Sequence, residues 1–229
     1  KNKTVLWSDF AKRLKNAIRT QETVAEYKSM PKAKRDEIKD IGGFVGGSLK
    51  DGRRRADTVL KRSIVTLDLD NLEKGDDIWG TVELILGCAA VLYSTHSHTA
   101  EKPRLRLILP LDRDVTADEY AAIARSIASD IGIDYCDDTT FEASRLMYFP
   151  SCSKDGEFIY KVQDAPFLSA DEQLARYTDW KDQTQWAYSS RNTTLKYNLQ
   201  KKAERQQDPQ AKEGIVGTFC RVYDIESAV

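Results

Sequence analysis

Apolar residues recur along the chain at two spacings, and the changes from one to the other mark its elements. Leu6, Phe10, Leu14 and Ile18 follow helical intervals, so residues 4–30 are expected to be helical, with Ser8 as N-cap. Residues 32–40 read as a short charged helix, broken by Gly42-Gly43-Phe44-Val45-Gly46-Gly47. That stretch enters a strand or turn, and its paired glycines read first as a turn and second as backbone able to approach a phosphate. From Ser63 to Asp70 the chain is β-branched at its start and alternating at its end, which is a strand pattern. Residues 76–86 suggest a helix, Ala89 to Tyr93 an apolar strand, and Arg104 to Leu109 a strand that alternates charged and apolar positions. Residues 116–131 form an amphipathic helix opened by Thr116 and closed by Gly132. Further strands are expected from Arg145 to Phe149, stopped by Pro150, and over 157–162.

The pattern changes near residue 170. Residues 171–205 are polar and helix-prone with few core-forming positions, Asp208-Pro209 interrupts them, and Gly214 to Val229 regains an apolar pattern. The expected organisation is a core domain over 1–168 and a helical appendage or linker over 169–229. With 41% hydrophobic and 31% charged residues the chain supports a real core and a well-solvated surface. No apolar run has the roughly 18 residues of a membrane span. The first twenty residues carry charges throughout, so no secretory signal is read, and a start at Lys1 suggests a fragment of something longer.

The net charge of −1 argues only weakly against nucleic acid, because binding depends on where charge sits. Lys32 to Arg62, including Arg53-Arg54-Arg55, and Arg191 to Arg205 are basic, whereas acids gather from Asp68 to Asp77 and from Asp134 to Asp138. Basic surface beside an acidic cluster suits a polyanion held next to bound cations. Cys88, Cys136, Cys152 and Cys220 form no CxxC pair, which argues against a zinc ribbon within the chain and favours a reducing cytoplasmic setting.

Asp68 and Asp70 stand two apart on a strand and therefore face the same way. Two such carboxylates repel unless positive charge lies near them, and a pair of Mg²⁺ or Mn²⁺ ions meets that need; aspartates at an exposed strand end are the simpler alternative. The chain has two histidines, and both follow an apolar strand in Tyr93-Ser94-Thr95-His96-Ser97-His98. Hydroxyl and imidazole groups there bond triphosphate oxygens, and imidazole also ligates metal. Lys102, Arg104 and Arg106 come next, with Arg104 and Arg106 on one strand face, suited to phosphate or to solvent. Asp137 or Asp138 offers a third acid, Asp134 being less suitable, and Arg145 either binds phosphate or pairs with one of these aspartates.

The order of these residues resembles the archaeo-eukaryotic primase superfamily, particularly primase-polymerases linked to helicases in phages, plasmids and prophages. A hydrophobic run ending in DxD matches Ile64 to Asp70, SxH matches Ser94-Thr95-His96, and a hydrophobic residue before Asp is met most nearly by Cys136-Asp137, with Asp138 a rival register. The stretches from Thr95 to Arg104 and from Ser144 to Ser151 look like phage and prophage members. Asp208-Pro209 and Gly214 to Arg221 look like the region joining primase to helicase. The resemblance is good over residues 40–165 and loose in the tail. It implies an α+β fold: an RRM-like antiparallel sheet backed by helices, an N-terminal α/β part and a C-terminal helical appendage. It also implies that Asp68, Asp70 and Asp137 or Asp138 hold two divalent metals, and that Ser94, His96 or His98, Lys102, Arg104, Arg106 and Arg145 serve the nucleotide. The implied partners are nucleoside triphosphates, a single-stranded DNA template with its primer, and a linked helicase, in the cytoplasm of a bacterial host and with no membrane.

Two rival readings stand beside this one. His96-Ser97-His98 has the spacing of an HxH nicking endonuclease, for which Tyr120 would be the nucleophile; the acidic pair would then have no task. The other rival is an inactive primase-like domain that binds DNA or recruits a helicase.

Overall fold

The structure is a computed structural model that describes residues 2–206 and 214–222. The chain divides into two compact units, one ending at Ser189 and the other beginning at Ser190. The first unit opens with α1 (Trp7–Leu14), β1 (Ile18–Arg19), α2 (Val24–Ser29), α3 (Lys32–Lys39), β2 (Gly43–Phe44), β3 (Gly47–Leu49) and β4 (Val59–Leu69). It continues through α4 (Ile78–Ile85), β5 (Ala90–Ser94), β6 (Leu105–Val115) and α5 (Ala117–Ile131). It closes with β7 (Met147–Tyr148), β8 (Ser151–Cys152), β9 (Tyr160–Gln163) and α6 (Ala170–Leu174). The second unit holds α7 (Thr193–Gln206) and α8 (Gly214–Val222). The Asp208-Pro209 break lies outside the described residues.

Among the described residues the main sheet has five strands in the order β3-β4-β6-β5-β9, each antiparallel to its neighbours. This is the α+β arrangement expected from the sequence. Alternation along the strands gives the sheet two buried faces. Val65, Leu67, Leu69, Leu107 and Leu109 pack against Ile123 and Ile127 of α5 and Val82 of α4. Val91, Tyr93 and Ile108 face the other way, against Ala11 and Leu14 of α1. Truncating a fully buried leucine such as Leu67 to alanine costs about 2–5 kcal/mol in such a setting. Helix α5 begins with a capping box: Thr116 Oγ1 accepts from the Glu119 N–H, and Glu119 accepts from the Thr116 N–H. Gly132, at φ 101°, ends it.

Three expectations need correction. Residues 4–30 are not one helix, and the helix starts after Leu6 rather than at a Ser8 cap. Helix α1 ends at Leu14, and β1 then pairs in parallel with β8 through Ile18–Ser151 and Arg19–Cys152. Thr23, boxed with Glu26, opens α2 afresh.

The core also does not stop at residue 168. Ala170, Leu174 and Trp186 are buried, the Tyr177 hydroxyl donates to Ala122 O at 2.8 Å, and Arg125 Nη1 donates to Ala187 O at 2.9 Å. Arg125 lies 4.2 Å over the Phe141 ring and 4.4 Å over that of Tyr188. Aromatic residues bury this segment where aliphatic ones are scarce.

Of the strand and the turn left open for the paired glycines, the strand is the one found at Gly43 and Gly47. Gly43 and Gly47 pair with Tyr148 and Arg62, and a Cβ on Gly47 would stand 1.9 Å from Lys61 O.

Candidate active site

Strand register places the first acid. Asp68 lies opposite Arg106 on β6, and Arg106 lies opposite Tyr93 on β5, so the three share one row on one sheet face. Asp70 follows just beyond the end of β4 and meets Arg104 Nη1 at 2.9 Å. Asp137 arrives by a separate route. Its backbone N–H donates to Asp68 O at 2.8 Å, and the preceding Cys136 bridges Leu69. Its carboxylate accepts from Thr139 and pairs with Arg145 Nη2 at 3.3 Å. Asp138 does not join this group. It accepts from Ser189 Oγ at 2.7 Å and lends negative charge to Arg125, deep in the aromatic cluster. The register left open by the sequence thus brings Asp137, not Asp138, beside the acidic pair.

Each of the three acids has an arginine: Asp68 has Arg106, Asp70 has Arg104 and Asp137 has Arg145. Burial alone would pull the Arg106 pKa down, but the neighbouring Asp68 and Tyr93 hold it up, and the guanidinium also donates to the Tyr93 hydroxyl and Tyr148 O. The Asp70 pKa is raised, mainly by burial, with Arg104 opposing the rise and the charges of Asp68 and Asp137 adding to it. Hard oxygen donors of this kind suit Mg²⁺ or Mn²⁺, so the donor set fits a divalent cation in its chemistry. Among the described residues no three His, Cys, Asp or Glu side chains already stand as a ligand cluster, and the arginines occupy the acids instead.

The two histidines differ in their surroundings. His96 Nε2 meets Glu22 Oε1 at 3.1 Å, and its Nδ1 meets Ser151 Oγ at 2.9 Å. Burial lowers its pKa, Glu22 opposing, so the ring is neutral with its proton toward the carboxylate. Thr20 and Ser153 also donate to Glu22, whose own pKa is lowered despite its burial. Both ring nitrogens of His96 are therefore committed within the protein. His98 Nδ1 accepts from the Arg104 N–H at 3.2 Å, while its Nε2 is buried with no partner. Ser94, expected at the nucleotide, is fully buried and accepts from the Ile159 N–H.

These residues border a cleft of about 390 Å³ lined by Asp68, Asp70, His96, Arg104, Arg106 and Arg145. Asp137 reaches it through its partner Arg145 rather than lining it. Lys32, Lys39 and Arg54 also line it, and sequence reasoning had placed them only in a general basic region. The positions 32, 35 and 39 fall on one face of α3, a spacing that the sequence did display. Glu22 carried no such signal. Tyr120 is fully buried, its hydroxyl bonded to Thr66 and Thr140, so the nicking reading has no accessible nucleophile there.

Residues 1–189 match the family described as the VapE N-terminal domain, and the chain belongs to that family. The membership agrees with the kinship to helicase-linked phage and plasmid primases drawn from motif order. Among solved structures, the AEP domain of the primase-polymerase (PrimPol) of cyanophage S-2L is similar at 17% identity and a TM-score of 0.42, covering 69% of this chain and 85% of that one. No curated protein matches the chain. Among the described residues no helix is long and apolar enough to cross a membrane.

Proposed function

We propose that this chain is the nucleotidyl-transfer domain of a primase-polymerase, joining nucleoside triphosphates to a 3′-hydroxyl on a single-stranded DNA template. The observation that carries this reading is that Asp68 and Asp70 line a cleft rich in arginine and lysine, while Asp137, from a separate segment, is tied to Asp68 O through its backbone N–H and joins the cleft through Arg145. Asp68, Asp70 and Asp137 would hold divalent cations, which supply charge neutralisation at the triphosphate and acidify the attacking hydroxyl. Arg104 and Arg145 would exchange their carboxylates for phosphate oxygens, since a guanidinium bonds either in the same bidentate manner. Arg106, pinned by Asp68, Tyr93 and Tyr148, acts instead as a fixed positive charge beneath the cleft. Alignment and charge stabilisation supply most of the rate in such transfers. Template and a linked helicase are the partners that fit the family.

The test is incorporation of labelled nucleotides on single-stranded DNA, with and without an annealed primer, in Mg²⁺ or Mn²⁺. Metal-dependent product is expected in the wild type, and its fall by at least about a thousandfold in Asp68→Ala/Asp70→Ala, because the charge set is then removed from the reacting groups. A second reading is favoured by the arginine on every acid: a primase-like domain that binds DNA without turnover. Folded protein that binds DNA but yields no product in any lane would decide for it.

A further inference from the structure

The connection between β3 and β4, residues 50–58, carries Lys50, Arg53, Arg54 and Arg55 against Asp51 and Asp57. All four cations are exposed. Asp51, at φ 54°, and Gly52, at φ 65°, reverse the chain just before the arginines. Arg54 lines the cleft beside Asp68 and Asp70, whereas Arg53 and Arg55 lie outside its lining. Positive charge thus leaves the cleft along this loop. In the strand order of the main sheet β3 is one edge and β9 the other, so the loop stands at one end of that order.

Positive charge alone would describe any solvated loop. Two features set this one apart. The first is missing counter-charge. Lys61, on β4, pairs with Asp114, but among the described residues no carboxylate pairs with Arg53, Arg54 or Arg55. Three adjacent guanidinium groups repel one another, and an external polyanion relieves that repulsion. The second is a held shape. Thr58 Oγ1 lies 2.6 Å from Arg53 O and 2.9 Å from Arg55 O, and it accepts from the Arg55 N–H at 3.0 Å. The Arg53 N–H donates to Lys50 O at 3.1 Å. Asn2 clasps Leu49 from the side, its Nδ2 donating to Leu49 O at 2.9 Å and its Oδ1 accepting from the Leu49 N–H at 3.1 Å. A backbone pinned in this way presents its arginines without the cost of ordering a loop on binding.

We infer that the β3–β4 loop is a track for a single nucleic-acid strand, which passes from the cleft at Arg54 onto Arg53 and Arg55. Guanidinium groups bond phosphate oxygens bidentately and stack on bases, so a short row of them suits an unpaired strand. One row follows one backbone; gripping both strands of a duplex needs a second row, and the loop supplies one. The inference rests on the primase reading only for calling that strand the template.

The experiment is fluorescence anisotropy of a labelled oligothymidylate with the full chain, over a salt series and without nucleotide or divalent ions. Arg53→Gln/Arg55→Gln is expected to weaken binding at least tenfold with an unchanged melting curve, both side chains being exposed. The slope of log affinity against log salt should fall by about 1.4, which is what two lost phosphate contacts to a single strand predict. Lys161→Gln/Lys181→Gln removes the same charge from exposed positions outside the cleft, Lys161 on the opposite edge strand, and is expected to change binding less than twofold. Wild-type affinity in Arg53→Gln/Arg55→Gln would overturn the inference. So would an equal loss in Lys161→Gln/Lys181→Gln, which marks uniform attraction by net charge, or equal affinity for a duplex of the same length, which marks a surface rather than a track. No turnover is read, so a chain inert in incorporation that still loses the oligonucleotide in Arg53→Gln/Arg55→Gln rejects the polymerase reading and keeps the track. An active chain whose affinity is untouched by that variant does the reverse.

Discussion

Arg62 is fully buried, and among the described residues no carboxylate pairs with it. Its Nη1 donates to Ala143 O, its Nη2 to Ile64 O and Thr66 Oγ1, and its guanidinium lies 4.0 Å over the Tyr120 ring. Burial lowers its pKa, with the Tyr120 hydroxyl opposing. Arg62→Ala strands three acceptors and opens a cavity, so a loss of about 3–5 kcal/mol in urea unfolding is expected. A loss under about 1 kcal/mol would contradict this account of the residue.

His96 and His98 make a different prediction. Burial holds both below the ordinary histidine pKa, against Glu22 and Glu157 respectively. The unfolded chain therefore binds more protons than the folded one as pH falls through about 6.5. Stability is full above that value and declines below it. The urea midpoint at about pH 5.5 should lie below that at about pH 7.5, and the difference should shrink in His98→Gln. Equal midpoints would refute it.

At the scale of elements, Gly47 is the most exacting position. An added Cβ would meet Lys61 O at 1.9 Å and Arg62 Cα at 2.8 Å, both backbone atoms that cannot step aside without breaking the β3–β4 ladder. Gly47→Ala is expected to cost about 2 kcal/mol or more and to speed hydrogen exchange at the Ser63 amide, which donates to Gly46 O. Normal exchange there would show that β3 relocates freely.

Helix α5, β4 and β6 were legible in the sequence because each is long, amphipathic or alternating, and ended by its own residues, as at Thr116 and Gly132. The segment from α1 to α2 was not. Its strand has only two residues, exists through pairing with Ser151–Cys152 far along the chain, and interrupts a run of apolar residues that mimics one helix. Of the site, the acids and the pairing of Arg145 with one of them were readable, but the partners of Asp68 and Asp70 were not, because cross-strand register decides which arginine faces Asp68.

For the whole molecule, the boundary at Ser189 has a direct consequence. A chain of residues 1–189 is expected to unfold cooperatively. A chain ending at 168 lacks Leu174, Trp186 and the partners of Arg125, and is expected to be unfolded or molten by near-ultraviolet circular dichroism. A native spectrum from the shorter chain would mean that the aromatic segment is dispensable. The sequence misplaced this edge because polar composition hid four aromatic residues, Tyr177, Trp180, Trp186 and Tyr188, that are packed against the core.

The hydrogen bond from the Asp137 amide to Asp68 O works as a ruler. It fixes the two acids relative to one another through main-chain atoms, which every residue except proline at 137 supplies. Side-chain drift at either position leaves the spacing intact. A single-residue insertion or deletion between Gly132 and Asp137 would disturb it. In sequences descended from a common ancestor with this one, the length of that short loop should therefore be held more tightly than its composition, and a changed length should mark lineages in which the two acids are no longer held at this spacing.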